Sequence, residues 1–126
     1  MLGWRISVYR QLDGGKEPAP FGAARGEARL AVWQTGLGGL DWLDELAKQR
    51  NAIDLGGDGY PNQYTAMAQH LRKELFEGPP YAKEVWSRGE SDIVTPKWPG
   101  KTLVDRAALD ACGPTEWLII EAWDES

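Results

Sequence analysis

The chain has a single cysteine and no long hydrophobic run, and these absences restrict its class. Cys112 alone among 126 residues cannot form an intramolecular disulfide, which favours a reducing compartment. The N-terminus lacks a basic region followed by an apolar core, and no segment approaches membrane-spanning length. We therefore expect a cytoplasmic protein with no membrane partner.

Motifs that bind nucleotides or metal ions are also missing. Gly36-Leu-Gly-Gly precedes a predicted helix, but Asp41 stands where a dinucleotide fingerprint needs its third glycine. The segment that begins at Asp54 supplies some oxygens of a calcium loop, yet Thr65 stands where the closing bidentate glutamate belongs. We expect the protein to use no cofactor and no metal ion.

Positive charge is scarce, because 14 basic residues stand against 19 acidic ones and the net charge is −5. A nucleic-acid binder usually has a basic stripe, since neutralising phosphates supplies most of its affinity. No such stripe is visible, so we expect no nucleic-acid partner. Acidity is concentrated at the C-terminal end, where Asp124 and Glu125 follow Trp123. These acids form either an ordinary solvated surface or a face for a basic partner.

Length and composition indicate one globular domain over residues 1–126. With 42% hydrophobic and 26% charged residues, the chain can bury a core without disulfides. Residues 4–10 and 27–34 alternate apolar and polar side chains, which predicts an antiparallel pair of strands. The connection over 13–26 is rich in glycine and proline, and it is either a functional loop or a flexible one.

Three segments, 40–50, 62–77 and 103–112, have the apolar spacing of helices. The second follows an N-cap at Asn62 and has the clearest stripe. The members of that stripe are Tyr64, Met67, Ala68, Leu71 and Leu75. A helical turn over 81–87 and strands over 91–95 and 116–123 complete the predicted elements.

This order of elements predicts an α+β domain. Its sheet of about four strands is mostly antiparallel, with a mixed sheet as the alternative, and about three helices cover one face. The last strand–helix–strand unit forms a parallel crossover if its two strands are neighbours.

The glycine-rich loop from Asp54 to Tyr60 is the most unusual segment of the chain. Three glycines allow positive φ angles and close approach of another molecule. In one interpretation Asp54 and Asp58 only cap turns at the entry to a helix. In the other, Tyr60 and the exposed backbone contact a ligand or partner.

His70 is the only histidine, and Glu74 follows it at the i+4 position of the predicted helix. Such a pair can act as an oriented general base or as two metal ligands. The alternative is a solvated helix flank, because no second histidine and no paired cysteine accompany it.

The chain has seven tryptophans, and we expect some of them to belong to the core and others to be candidates for an interface. Trp42 lies off the apolar stripe of its helix, and Trp98 stands between Pro96 and Pro99. We expect these two to be the least buried.

Two functional hypotheses follow from these patterns. The first is a small acidic protein-binding module, of the kind represented by immunity-type proteins and phage-encoded inhibitors. Its binding residues would be Asp58, Tyr60, Trp42, Trp98, Asp124 and Glu125. The second is a small enzyme or ligand-binding domain that uses the Gly56–Tyr60 loop with His70, Glu74 and nearby carboxylates. Neither the partner nor the oligomeric state follows from the sequence.

Overall fold

A computed structural model describes residues 3–35, 37–75 and 103–124. Strands and short helices alternate through this part of the chain. In order they are β1 (Trp4–Gln11), β2 (Arg25–Thr35), a 3-10 helix (Leu37–Leu40), α1 (Asp41–Lys48), β3 (Ala52–Gly56), β4 (Asn62–Met67), α2 (Ala68–Glu74), β5 (Leu103–Val104), α3 (Arg106–Ala111) and β6 (Trp117–Asp124).

One sheet dominates the fold. The six strands of the described residues lie in the order β3-β4-β6-β1-β2-β5, and all five neighbouring pairs are antiparallel. The prediction of about four strands covered by three helices is therefore wrong, since the sheet is larger and the helices are short. The parallel crossover was predicted for the strand over 91–95 with the last strand, and it stays a prediction because residues 91–95 lie outside the described residues.

The main error concerns the helix predicted over 62–77. Residues Asn62–Met67 form β4, and the helix α2 covers only Ala68–Glu74. The helical spacing misleads because Tyr64 and Met67 extend the apolar stripe of α2 backwards into β4, while the polar and apolar alternation of the strand covers only residues 63–66. Pairing with β3 on one side and β6 on the other overrides the local helical pattern. The glycine-rich loop consequently closes a hairpin and does not begin a helix.

The remaining predicted elements agree with the structure to different degrees. The antiparallel pairing of the first two strands is confirmed, as are the last strand and a helix over most of 40–50. In the segment 103–112 the first two residues form β5, and Asp105 caps α3 by accepting a hydrogen bond from the Ala108 N–H at 3.0 Å. The predicted turn over 81–87 and strand over 91–95 lie outside the described residues.

The apolar core lies on one face of the sheet, which we call the helix face. Alternate residues of β1, Ile6 and Val8, pack there beside Trp33 of β2 and Ile120 of β6. Each helix then adds buried side chains above them. The helical contributors are Leu43 and Leu46 of α1, Ala68 and Leu71 of α2, and Leu109 of α3. No helix in the described residues is long and apolar enough to cross a membrane.

Leu71 provides a test of this packing, because its side chain is fully buried beneath α2. We expect Leu71→Ala to lower the free energy of unfolding by about 2–5 kcal/mol, the usual cost of truncating a buried leucine. Lys73→Ala is the matched control on the exposed side of the same helix. Chemical denaturation of both variants is the measurement. Equal stability of the two would contradict the placement of α2.

Candidate functional site

The turn between β3 and β4 is held by side-chain hydrogen bonds within the turn. The Asp54 Oδ1 accepts from the Gly56 N–H at 2.9 Å, and the Asp58 Oδ1 accepts from the Tyr60 N–H at 3.1 Å. A third bond runs from the Gly59 N–H to the Asn62 Oδ1 at 2.9 Å. Gly56, Gly57 and Gly59 all have φ between 90° and 131°, which glycine adopts at little cost. These bonds fix the shape of the turn.

The same turn packs against the end of β6. The Asp124 N–H donates to the Gly59 carbonyl at 2.7 Å. A Cβ on Gly59 would lie 3.2 Å from the Asp124 Cβ, and the Gly59 φ of 92° is one that other residues rarely adopt, so glycine suits this close approach. Three predicted binding residues, Asp58, Tyr60 and Asp124, are thereby brought together. We call residues 54–60 with Asp124 the acidic turn.

Aromatic and apolar surface is exposed at and beside the acidic turn. Tyr60 is 61% exposed, and Ile53 of the adjoining strand is 41% exposed. Large side chains that remain accessible on a rigid turn are typical of contact residues in protein interfaces.

One other predicted binding residue, Trp42, does not join the acidic turn, and two cannot be placed. Trp42 is half-buried on α1, where its ring lies 6.0 Å from that of Trp33 and packs against the core. Trp98 and Glu125 lie outside the described residues.

His70 lies far from the acidic turn. It is half-buried on α2, which follows the last residue of β4. The acidic turn lies before the first residue of β4, at the opposite end of this strand. Six extended residues span about 17–20 Å, so His70 and Glu74 cannot share a site with the Gly56–Tyr60 loop. The described part of the chain also contains no group of three or more side chains suited to hold a metal ion.

The sheet face opposite the helices, which we call the polar face, carries a buried carboxylate. Glu121 of β6 is only 5% exposed. Its oxygens accept from Arg25 Nη1 at 2.9 Å, Gln63 Nε2 at 3.1 Å and Trp123 Nε1 at 3.2 Å. Charge-assisted bonds of this kind offset the cost of burying a carboxylate. The acidic residues near Trp123 do not by themselves predict this cluster, although an acid between Ile120 and Ala122 in an apolar strand is a usable signal.

The long connection between β1 and β2 covers part of the polar face. Its Ala19 N–H donates to Thr65 Oγ1 at 3.2 Å, and its Gly22 N–H donates to Gln63 Oε1 at 2.7 Å. Near its start, the Gly15 carbonyl accepts from the Trp117 N–H at 2.8 Å. The connection is thus tied to β4 and β6 along its length, and its backbone closes over the buried polar side chains.

Comparisons with known proteins identify no relative of this fold or sequence, since no family model, curated protein or solved structure gives a significant match to the chain. The function is therefore inferred from the geometry of the described residues.

Tyr64 of β4 is buried in the core, and its hydroxyl group contacts Asp44 of α1. Burial raises the pKa of the Tyr64 hydroxyl, and the charges of Asp44 and Asp54 raise it further. The hydroxyl donates to the Asp44 Oδ1 at 3.3 Å and so connects β4 to α1.

This raised pKa predicts how stability changes in alkaline solution. Above pH of about 10, the ordinary pKa of tyrosine, the unfolded chain loses the Tyr64 proton while the folded chain retains it. The free energy of unfolding should therefore fall as pH rises through this range. Tyr64→Phe should show a shallower fall than Tyr60→Phe, whose ring is exposed. Urea denaturation of both variants across pH 8–11 is the measurement, and equal slopes would contradict the prediction.

Proposed function

We propose that this protein is a protein-binding module whose partner docks on the acidic turn. The observation that supports the proposal is an exposed tyrosine on a turn whose backbone N–H groups donate to two aspartate side chains of the same turn. Because the turn is already ordered, Tyr60 loses little backbone freedom when a partner covers it, and more of the contact energy contributes to affinity.

The charge of the acidic turn favours a basic partner. Neither Asp54 nor Asp58 forms an ion pair with any described residue, and both are exposed. Their charges are part of the net charge of −5, and they attract a positively charged surface during diffusional encounter. Tyr60 and Ile53 then supply the apolar contact that slows dissociation.

A cytoplasmic immunity-type protein or phage-encoded inhibitor is the specific form of this proposal. A module of that class acts only by covering its target, so a pre-ordered surface is sufficient for the whole activity. Affinity capture from the source organism, with the acidic turn intact and with it altered, identifies the partner.

Substitution of the two acids separates charge from shape. Asp54→Asn with Asp58→Asn retains both Oδ1 acceptors of the turn but removes two negative charges. We expect the association rate with the captured partner to fall, and its dependence on salt to weaken, because steering is screened over about 8 Å at physiological ionic strength. Stopped-flow or surface-based kinetics across a salt series is the measurement. A rate that ignores both salt and the substitution would defeat the proposal.

Substitution of the aromatic residue tests the contact itself. Tyr60→Ala should raise the dissociation rate by about tenfold or more, as hot-spot truncations do, with little change in protein stability. Leu12→Ala is the matched control, since Leu12 is 68% exposed just after β1, at the end of the sheet opposite to the Trp4 and Asp124 pair. If Leu12→Ala weakens the complex and Tyr60→Ala does not, the partner docks elsewhere.

A further inference from the structure

Arg29 of β2 carries a charge that the described structure does not neutralise. Its side chain is exposed and forms no hydrogen bond, ion pair or ring contact with any described residue. Arg10 of the neighbouring strand differs, because two hydrogen bonds of 2.9 Å pair its guanidinium with Glu116. The arginines of this sheet therefore differ, because among the described residues Arg10 is paired and Arg29 is not.

Arg25 lies four residues before Arg29 and is held in place by two contacts. Its Nη1 lies 2.9 Å from the Glu121 carboxylate, and its guanidinium carbon lies 4.4 Å from the centre of the Tyr9 ring. Tyr9 is in turn the register partner of Arg29. The Glu121 carboxylate thus fixes the guanidinium of Arg25 beside that of Arg29, which has no partner among the described residues.

A depression lies between these side chains. It has a volume of about 450 Å³ and is lined by Tyr9, Arg25, Gly26 and Arg29. Two guanidinium groups and a phenol line it, so the depression is rich in hydrogen-bond donors.

We propose that this depression binds an oxyanion, a phosphate or carboxylate group carried on a small organic molecule. The planar donors of arginine match the oxygens of both groups, and they bind them more strongly than neutral donors do. The volume exceeds the space that an isolated ion needs, which favours an anionic group with an organic body. Trp4 of β1 is the register partner of Asp124 in the acidic turn. Tyr9 lies five residues along β1 from Trp4, a distance of about 17 Å, so this site is distinct from the acidic turn.

Titration of the labelled protein with small anions tests the proposal. The probes are inorganic phosphate, phenyl phosphate and benzoate, followed by amide NMR shifts of residues 9, 25, 26 and 29. We expect saturable shifts at these amides, with phenyl phosphate or benzoate binding more tightly than inorganic phosphate. Comparison of the two organic probes distinguishes a phosphate site from a carboxylate site.

Charge-removing variants complete the test. Arg29→Gln should weaken binding about tenfold, the effect of losing a charge-assisted hydrogen bond, and Arg29→Lys should restore only part of it. Arg106→Gln is the control, because it removes the same charge from the exposed start of α3. Equal weakening by Arg29→Gln and Arg106→Gln would show general attraction by charge and overturn the proposal. Shifts that do not saturate would overturn it as well.

Discussion

The buried carboxylate of Glu121 is the interaction on which the polar face depends. A charge taken out of water costs several kcal/mol unless donors surround it, and three side chains from β2, β4 and β6 supply them. Gln63 also accepts from the β1–β2 connection, which therefore closes over the same cluster. The second face of the sheet is organised by hydrogen bonds, whereas the helix face is organised by apolar packing. Removal of any one donor would leave the buried Glu121 carboxylate with fewer hydrogen bonds, which is unfavourable.

The strands β1, β2 and β6 could be predicted from the sequence, whereas the six-stranded sheet of the described residues could not. Alternation or an apolar run between acids marks these three strands clearly. The strand β4 could not be recognised because Tyr64 and Met67 fit the apolar stripe of the helix that follows, and the alternation over residues 63–66 is too short to outweigh it. Tertiary pairing then decides between two patterns that local sequence cannot distinguish.

The candidate site was predictable only in part. Asp58 and Tyr60 belong to one loop, so their proximity follows from the sequence. Their contact with Asp124 does not, because it requires the register of β4 on β6 and the close approach at Gly59. The Arg25 and Glu121 pair also joins distant segments. Such pairs are set by strand order, which local periodicity does not encode.

The central pair of strands joins the two ends of the described chain, since Trp4 of β1 lies opposite Asp124 of β6. During synthesis, the β1–β2 and β3–β4 hairpins can form as soon as their residues emerge. The middle of the sheet must wait for residues 117–124, and until then the facing edges of β1 and β4 have no strand between them. Contacts of such long sequence separation slow folding, and unpaired edges invite association with other chains. We expect the nascent protein to depend on its last strand for solubility.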